Sequence, residues 1–143
     1  MTTDLLWGIA IGCVALIGII KLIQMSNALV QETTEIREVL ILYRTVGMAI
    51  QNIITPLFSN NIRTAIFHIS VAKERLRHFT PTTDVPKKIV GDMSTIVYDI
   101  DQILHQLKQK DIGYPRALEL LRTQVNAYAA IGVILDEYRG GKL

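Results

Sequence analysis

Cysteine is nearly missing from this 143-residue chain. The one residue present, Cys13, lies inside an apolar stretch, so neither an intrachain disulfide framework nor a cysteine-built zinc site can form. Aromatic residues make up 6% of the chain and prolines number four, a balance that suits helices better than a sandwich of short strands or a disordered tail. Charge of one sign is also lacking. A net +2 does not mark a nucleic-acid binder, and nucleic acid is not an expected partner. The pairs of Glu-x-x-His that build di-iron bundles do not occur, nor do His-Glu-x-x-His, a Gly-rich phosphate loop or Gly-x-Ser-x-Gly. No metal and no cofactor is expected.

What is present begins with a run from Leu5 to Ile20 without one charged or strongly polar side chain. Its sixteen residues fall short of the roughly 20 that span a bilayer core, but Lys21 can snorkel and Leu22, Ile23 and Met25 extend the apolar surface. The run predicts an uncleaved single-pass transmembrane anchor over residues 1–25, with the lipid bilayer as a partner. A cleaved signal peptide fits less well, because Asp4 and no Lys or Arg precedes the run. Lys21 and Arg37 follow it, which places the bulk of the chain in the cytoplasm. Gly8, Gly12 and Ala15 share a face, and such small residues let helices approach closely; they predict an interface for a homo-oligomer or a membrane-complex subunit.

Residues 26–143 predict an antiparallel four-helix bundle, so the expected fold class is all-α with one transmembrane helix ahead of the bundle. The first bundle helix, about Ala28 to Ile54, carries Ile36, Val39, Tyr43, Val46, Ile50, Ile53 and Leu57 at heptad spacing, widened by Leu40, Gly47 and Ile54. Thr55-Pro56 weakens it and Ser59-Asn60-Asn61 makes the turn. The second helix, about Ile62 to Phe79, is capped by Asn60 or Asn61 and presents Ile62, Ala65, Ile66, Ile69, Ala72, Leu76 and Phe79. The third, about Pro86 to Lys108 with Asp84 placed to cap it, presents Ile89, Met93, Ile96, Ile100, Ile103 and Leu107. Pro115 opens the fourth and Gly140-Gly141 closes it, with the stripe Leu118, Leu121, Val125, Tyr128, Ile131 and Leu135. Its stretch Val125 to Leu135, rich in small and apolar residues, predicts the tightest packing contact of the bundle.

Up-and-down connectivity turns the second loop toward the membrane side, where Lys73, Arg75, Arg77, His78, Lys87 and Lys88 gather and Arg139 and Lys142 return. These residues form a candidate lipid-facing basic patch. Asp101 and His105, four apart on one helix face, make half a metal site at best and read as an exposed pair. Arg63-Thr-Ala-Ile-Phe-His68 is similar to the Arg-x4-6-His motif of the HEPN family, helical-bundle ribonucleases that act without metal and often as dimers. The resemblance implies that Arg63 steadies a phosphate and His68 works in acid-base chemistry during attack by a ribose 2′-hydroxyl. The large features together point to a membrane-anchored helical-bundle structural or interaction subunit that self-associates or joins a larger complex. Two alternatives are a HEPN-like ribonuclease or effector at the membrane and an extracytoplasmic ligand-sensing bundle.

Overall fold

Apolar residues at helical spacing, interrupted by Asn, Pro and Gly turns, fold into four helices: α1 (Thr2–Phe58), α2 (Ile62–Arg77), α3 (Asp84–Lys108) and α4 (Tyr114–Arg139). The structure, a computed structural model, describes the backbone of residues 2–139 and the side chains of residues 16–24 and 31–138. Among the described residues every regular element is helical.

The expected anchor followed by a separate bundle needs correction. Among the described residues no helix is long and apolar enough to cross a membrane, so a transmembrane helix at the N-terminus is not supported. The stretch through Ser26 and Asn27, expected to separate anchor from bundle, is continuous helix, and α1 runs unbroken for 57 residues, about 85 Å at 1.5 Å per residue. Neither residue breaks a helix by itself: each costs only a few tenths of a kcal/mol against Ala, and neighbouring hydrogen bonds carry the helix through. Gly8, Gly12 and Ala15, the expected association face, lie outside the residues whose side chains are described.

From Gln31 onward α1 packs into the bundle. Ile36, Val39, Val46, Ile50, Ile53 and Leu57 of its heptad stripe are buried, and Tyr43 is half-buried. Pro56 does not end the helix, because it falls in the last turn and only one intrahelical bond is lost. The chain reverses at Asn60, whose left-handed φ of 59° Asn tolerates better than most residues. Asn61 then caps α2 by accepting a hydrogen bond from the Thr64 amide at 3.3 Å.

The order in space follows the order in sequence, with α1 against α2, α2 against α3, α3 against α4, and a thin seam between α4 and α1. The core centres on Val39, Val46, Ile69, Met93, Val97, Ile100 and Leu104, none of them measurably exposed. Val125 to Leu135 is not the tightest contact: Val125, Val133 and Ile134 are 42%, 59% and 37% exposed. Ala129 and Ala130, both exposed, offer little apolar area there to draw a neighbouring helix in.

Candidate interaction surface

Three features of α1 bring together the residues that could do something. The first is the segment N-terminal to the bundle. Every described residue from 16 to 24 is exposed, including Leu16, Ile17, Ile19, Ile20, Leu22 and Ile23, which cover most of the helix circumference and leave one sector to Gly18 and Lys21. Scattered apolar residues are normal on a surface, but a broad contiguous apolar face marks a surface that takes a partner.

The second is a clamp at the point where that segment leaves the bundle. Glu35 of α1 is buried beneath the α2–α3 loop and accepts from the amides of Thr82 (2.8 Å) and Thr83 (3.0 Å) and from both threonine hydroxyls, that of Thr82 at 2.8 Å. Gln31 Nε2 adds a bond to Thr82 Oγ1 at 2.5 Å. Four donors converging on one carboxylate favour its charged form, and the Thr83 hydroxyl, followed by the Thr82 amide, holds the Glu35 pKa down at about 2, against an opposing push from burial. This clamp replaces the expected cap: Asp84 lies inside α3, and the true N-cap, Thr83, makes no capping bond of its own. The clamp also fixes the loop at the end of the bundle from which α1 projects. Tyr138 of α4 reaches the same end and bonds to Glu32; burial first, then Glu32, raises its phenol to about 12.

The third is the seam between α1 and α4, where Tyr43 and Tyr128 stack with ring centroids 4.2 Å apart and planes 7° from parallel. Each hydroxyl donates to the other residue's backbone carbonyl, Tyr43 at 3.2 Å and Tyr128 at 2.8 Å. One helical turn on, Gly47 underlies the Tyr128 hydroxyl and Gly132 underlies the Tyr43 hydroxyl, so a Cβ at either glycine would overlap a phenol oxygen. The two helices thus carry the same device, Tyr-x-x-x-Gly, placed antiparallel across the seam. Burial raises the Tyr128 phenol far above its ordinary value, with Tyr43 adding to the effect. Toward the other end of the seam, Tyr114 donates to Asn60 Oδ1 at 2.5 Å. Between these two ties the register carries Ile50 opposite Val125, Ile54 opposite Leu121 and Leu57 opposite Leu118, and all six line one open cleft of about 250 Å³.

The other residues singled out from sequence fall elsewhere. Arg63 and His68, five apart on α2, diverge by about 140° around the helix axis. His68 is half-buried in a groove with Thr45, Asn52 and Arg75 against α1, whereas Arg63 is exposed and does not line that groove. Asp101 and His105 do share a face, with His105 Nε2 3.4 Å from the carboxylate, but Asp101 is buried rather than exposed and also meets Lys73 Nζ at 3.6 Å. Among the described residues no three potential ligands cluster around a metal position. Of the basic patch, Lys73 is thus drawn to Asp101, while Arg77 and His78 both pair with Glu74. Arg75, Lys87 and Lys88 are exposed, and the side chains of Arg139 and Lys142 lie outside the described residues.

Sequence reasoning placed Tyr43, Gly47 and Tyr128 in apolar stripes but missed the clasp. The repeated Tyr-x-x-x-Gly spacing was the signal that could have found it. No protein-family profile, no characterised protein and no solved structure matches this chain. The fold class stands as an all-helical bundle with one helix drawn out beyond it.

Proposed function

We propose that this chain is a structural or interaction subunit whose copies assemble through the apolar segment of α1 that extends past the bundle. The observation that carries this reading is the exposure of Leu16, Ile17, Ile19, Ile20, Leu22 and Ile23 over most of the circumference of one helix. Each such side chain gains about 1.5–3 kcal/mol when fully buried, so a few of them meeting their counterparts in another copy outweigh the cost of association. The clamp at Glu35 ties the α2–α3 loop to α1 at the end of the bundle from which this segment projects. Its task in this reading is positioning, with the charged outer faces of the bundle left for display.

Sedimentation of the full chain tests the idea. A discrete oligomer is expected at micromolar concentration, with the double variant Ile17→Lys, Ile20→Lys falling to the mass of one chain. A monomer at all concentrations, or a chain that enters detergent micelles singly, overturns it.

A further inference from the structure

We infer that the cleft between α1 and α4 is a binding site for a small amphipathic anion, a carboxylate carrying an alkyl tail, with Arg122 receiving the headgroup. The inference does not depend on assembly through the N-terminal segment, because the cleft lies at the opposite end of the bundled part of α1.

Three observations meet here. The lining is apolar apart from one charged side chain, Arg122, which the antiparallel register sets across from Ile53. Among the described residues no carboxylate pairs with Arg122 and no hydrogen bond occupies it. The other cation of α4 whose side chain is described, Arg116, is drawn away to Glu119 at 3.2 Å, one turn and a half earlier on the helix. A guanidinium is the side chain best shaped to hold a carboxylate through two parallel bonds, and it gains most where apolar walls exclude water on one side.

Size decides what kind of tail enters. At about 250 Å³ the cleft lies between the 150 Å³ cavity that takes benzene and the roughly 300 Å³ where drug-sized sites begin. A helix, about 10 Å across, is too thick to enter. An alkyl chain of about eight to ten carbons suits such a volume. Its floor is Ile100, a core residue with no exposure of its own, so the site has a bottom as well as sides. The ties at both ends, Tyr43 with Tyr128 and Asn60 with Tyr114, hold the helices at a set separation and leave the space open between them.

The test is calorimetric titration of the full chain with decanoate and, separately, decanol, both below the concentration at which they form micelles. Saturable uptake of one decanoate per chain is expected, with decanol at least tenfold weaker. Arg122→Gln should weaken decanoate by at least tenfold and leave decanol unchanged. Leu118→Trp, at the exposed rim, and Leu121→Trp, deeper in, should each abolish uptake while circular dichroism shows helix content intact; the rim variant keeps the test decisive if the deeper one fails to fold. The Ile17→Lys, Ile20→Lys double variant should bind as the natural chain does, whatever its state of assembly. Absence of saturable binding, equal affinity for decanoate and decanol, or uptake lost only in the Ile17/Ile20 variant overturns the proposal.

Discussion

Helices α3 and α4 have nearly the same length, 25 and 26 residues, and pack on each other, yet they meet α1 through different physics. Eleven residues of α3 are buried, among them Met93, Val97, Ile100 and Leu104 at the centre of the core. On α4, among the described residues, Ala117, Leu121, Ile131 and Leu135 are buried, while Leu118, Val125, Val133 and Ile134 stay exposed. Apolar burial is non-directional and grows with area, so it fixes α3 against both α2 and α1 without needing a special geometry. The side of α4 that faces α1 lacks that area and depends on specific contacts: two stacked rings, two reciprocal hydrogen bonds and two glycines that let the backbones approach. A seam held by area tolerates variation at its surface, whereas a seam held by a few contacts is sensitive to single atoms at those contacts.

Truncating one apolar side chain on each helix, a buried one on α3 and an exposed one on α4, gives the largest expected effect. Leu104→Ala, at a position with no exposure, should cost about 2–5 kcal/mol by denaturant unfolding, since it leaves a cavity the surrounding core cannot fill. Val125→Ala on α4 should stay within about 0.5 kcal/mol. Equal losses at the two sites would mean that α4 is as deeply embedded as α3 and would end the contrast.

The same substitution made at one glycine on each helix should change sign. Gly91 of α3 faces open space, so Gly91→Ala should stabilise the chain by up to about 1 kcal/mol through helix propensity alone. Gly132→Ala gains the same propensity but drives a methyl group into the Tyr43 hydroxyl, and overpacking of this kind costs about 1–3 kcal/mol. A net loss near 1 kcal/mol at Gly132, read as a lowered Tm, against a gain at Gly91 would sharpen the comparison. Two gains would show that the phenol moves aside freely.

How much of this could be read beforehand follows the same division. The stripes of α2 and α3 were legible because burial repeats with the helical period: Ala65, Ile69, Ala72 and Leu76 are buried and Ile62, Ile66 and Phe79 half-buried beside them, while Ile89, Met93, Ile96, Ile100, Ile103 and Leu107 are all buried. The Asn61 cap was legible because its hydrogen bond spans three residues. The Glu35 clamp was not, since it joins residues 47 and 48 positions apart and leaves no periodic trace. Asp84, nearer in sequence, looked like the better cap. On α4 the stripe was written correctly, but periodicity tells which residues share a face and not whether a neighbour covers that face; Leu118 and Val125 line a cleft instead. The continuity of α1 was masked by Ser26 and Asn27, which favour caps and turns when a helix has reason to end and are otherwise carried along.

The two ends of the pH scale should loosen the two helices separately. Glu35 ordinarily titrates at 4.5 and in the fold at about 2, so its contribution is complete above pH 4.5 and is lost as pH falls from there through 2. Acid should therefore free the start of α3 from α1, and Glu35→Gln should flatten the decline of Tm over that window. Tyr138 is raised from 10 to about 12, and Tyr128 is raised as well, by burial first, so both favour the fold in their neutral form. That contribution is complete below pH 10 and is lost as pH rises through 12, which should free α4 from α1. Hydrogen exchange at moderately acid pH, or phenolate absorbance on the alkaline side, would show which helix opens; loss of α4 in acid before α3 would reverse the assignment.

The smallest effect is the most specific one. Tyr43→Phe and Tyr128→Phe each remove one hydroxyl and keep the stacked rings, so each should cost about 1 kcal/mol, the usual net worth of one hydrogen bond. The two losses should not add. Each phenol reaches the opposite carbonyl only because the other holds the helices at that separation. Once one bond is gone the seam can widen and the second contributes less, giving a coupling of about 0.5 kcal/mol or more in a double-mutant cycle. A control pair on α3, Val97→Ala with Leu107→Ala, lies on one helix but nearly three turns apart, and its effects should add within about 0.5 kcal/mol. Strict additivity at Tyr43 and Tyr128 would show that something other than the clasp sets the spacing of α1 and α4, and the cleft beside it would then have no fixed width for a ligand to match.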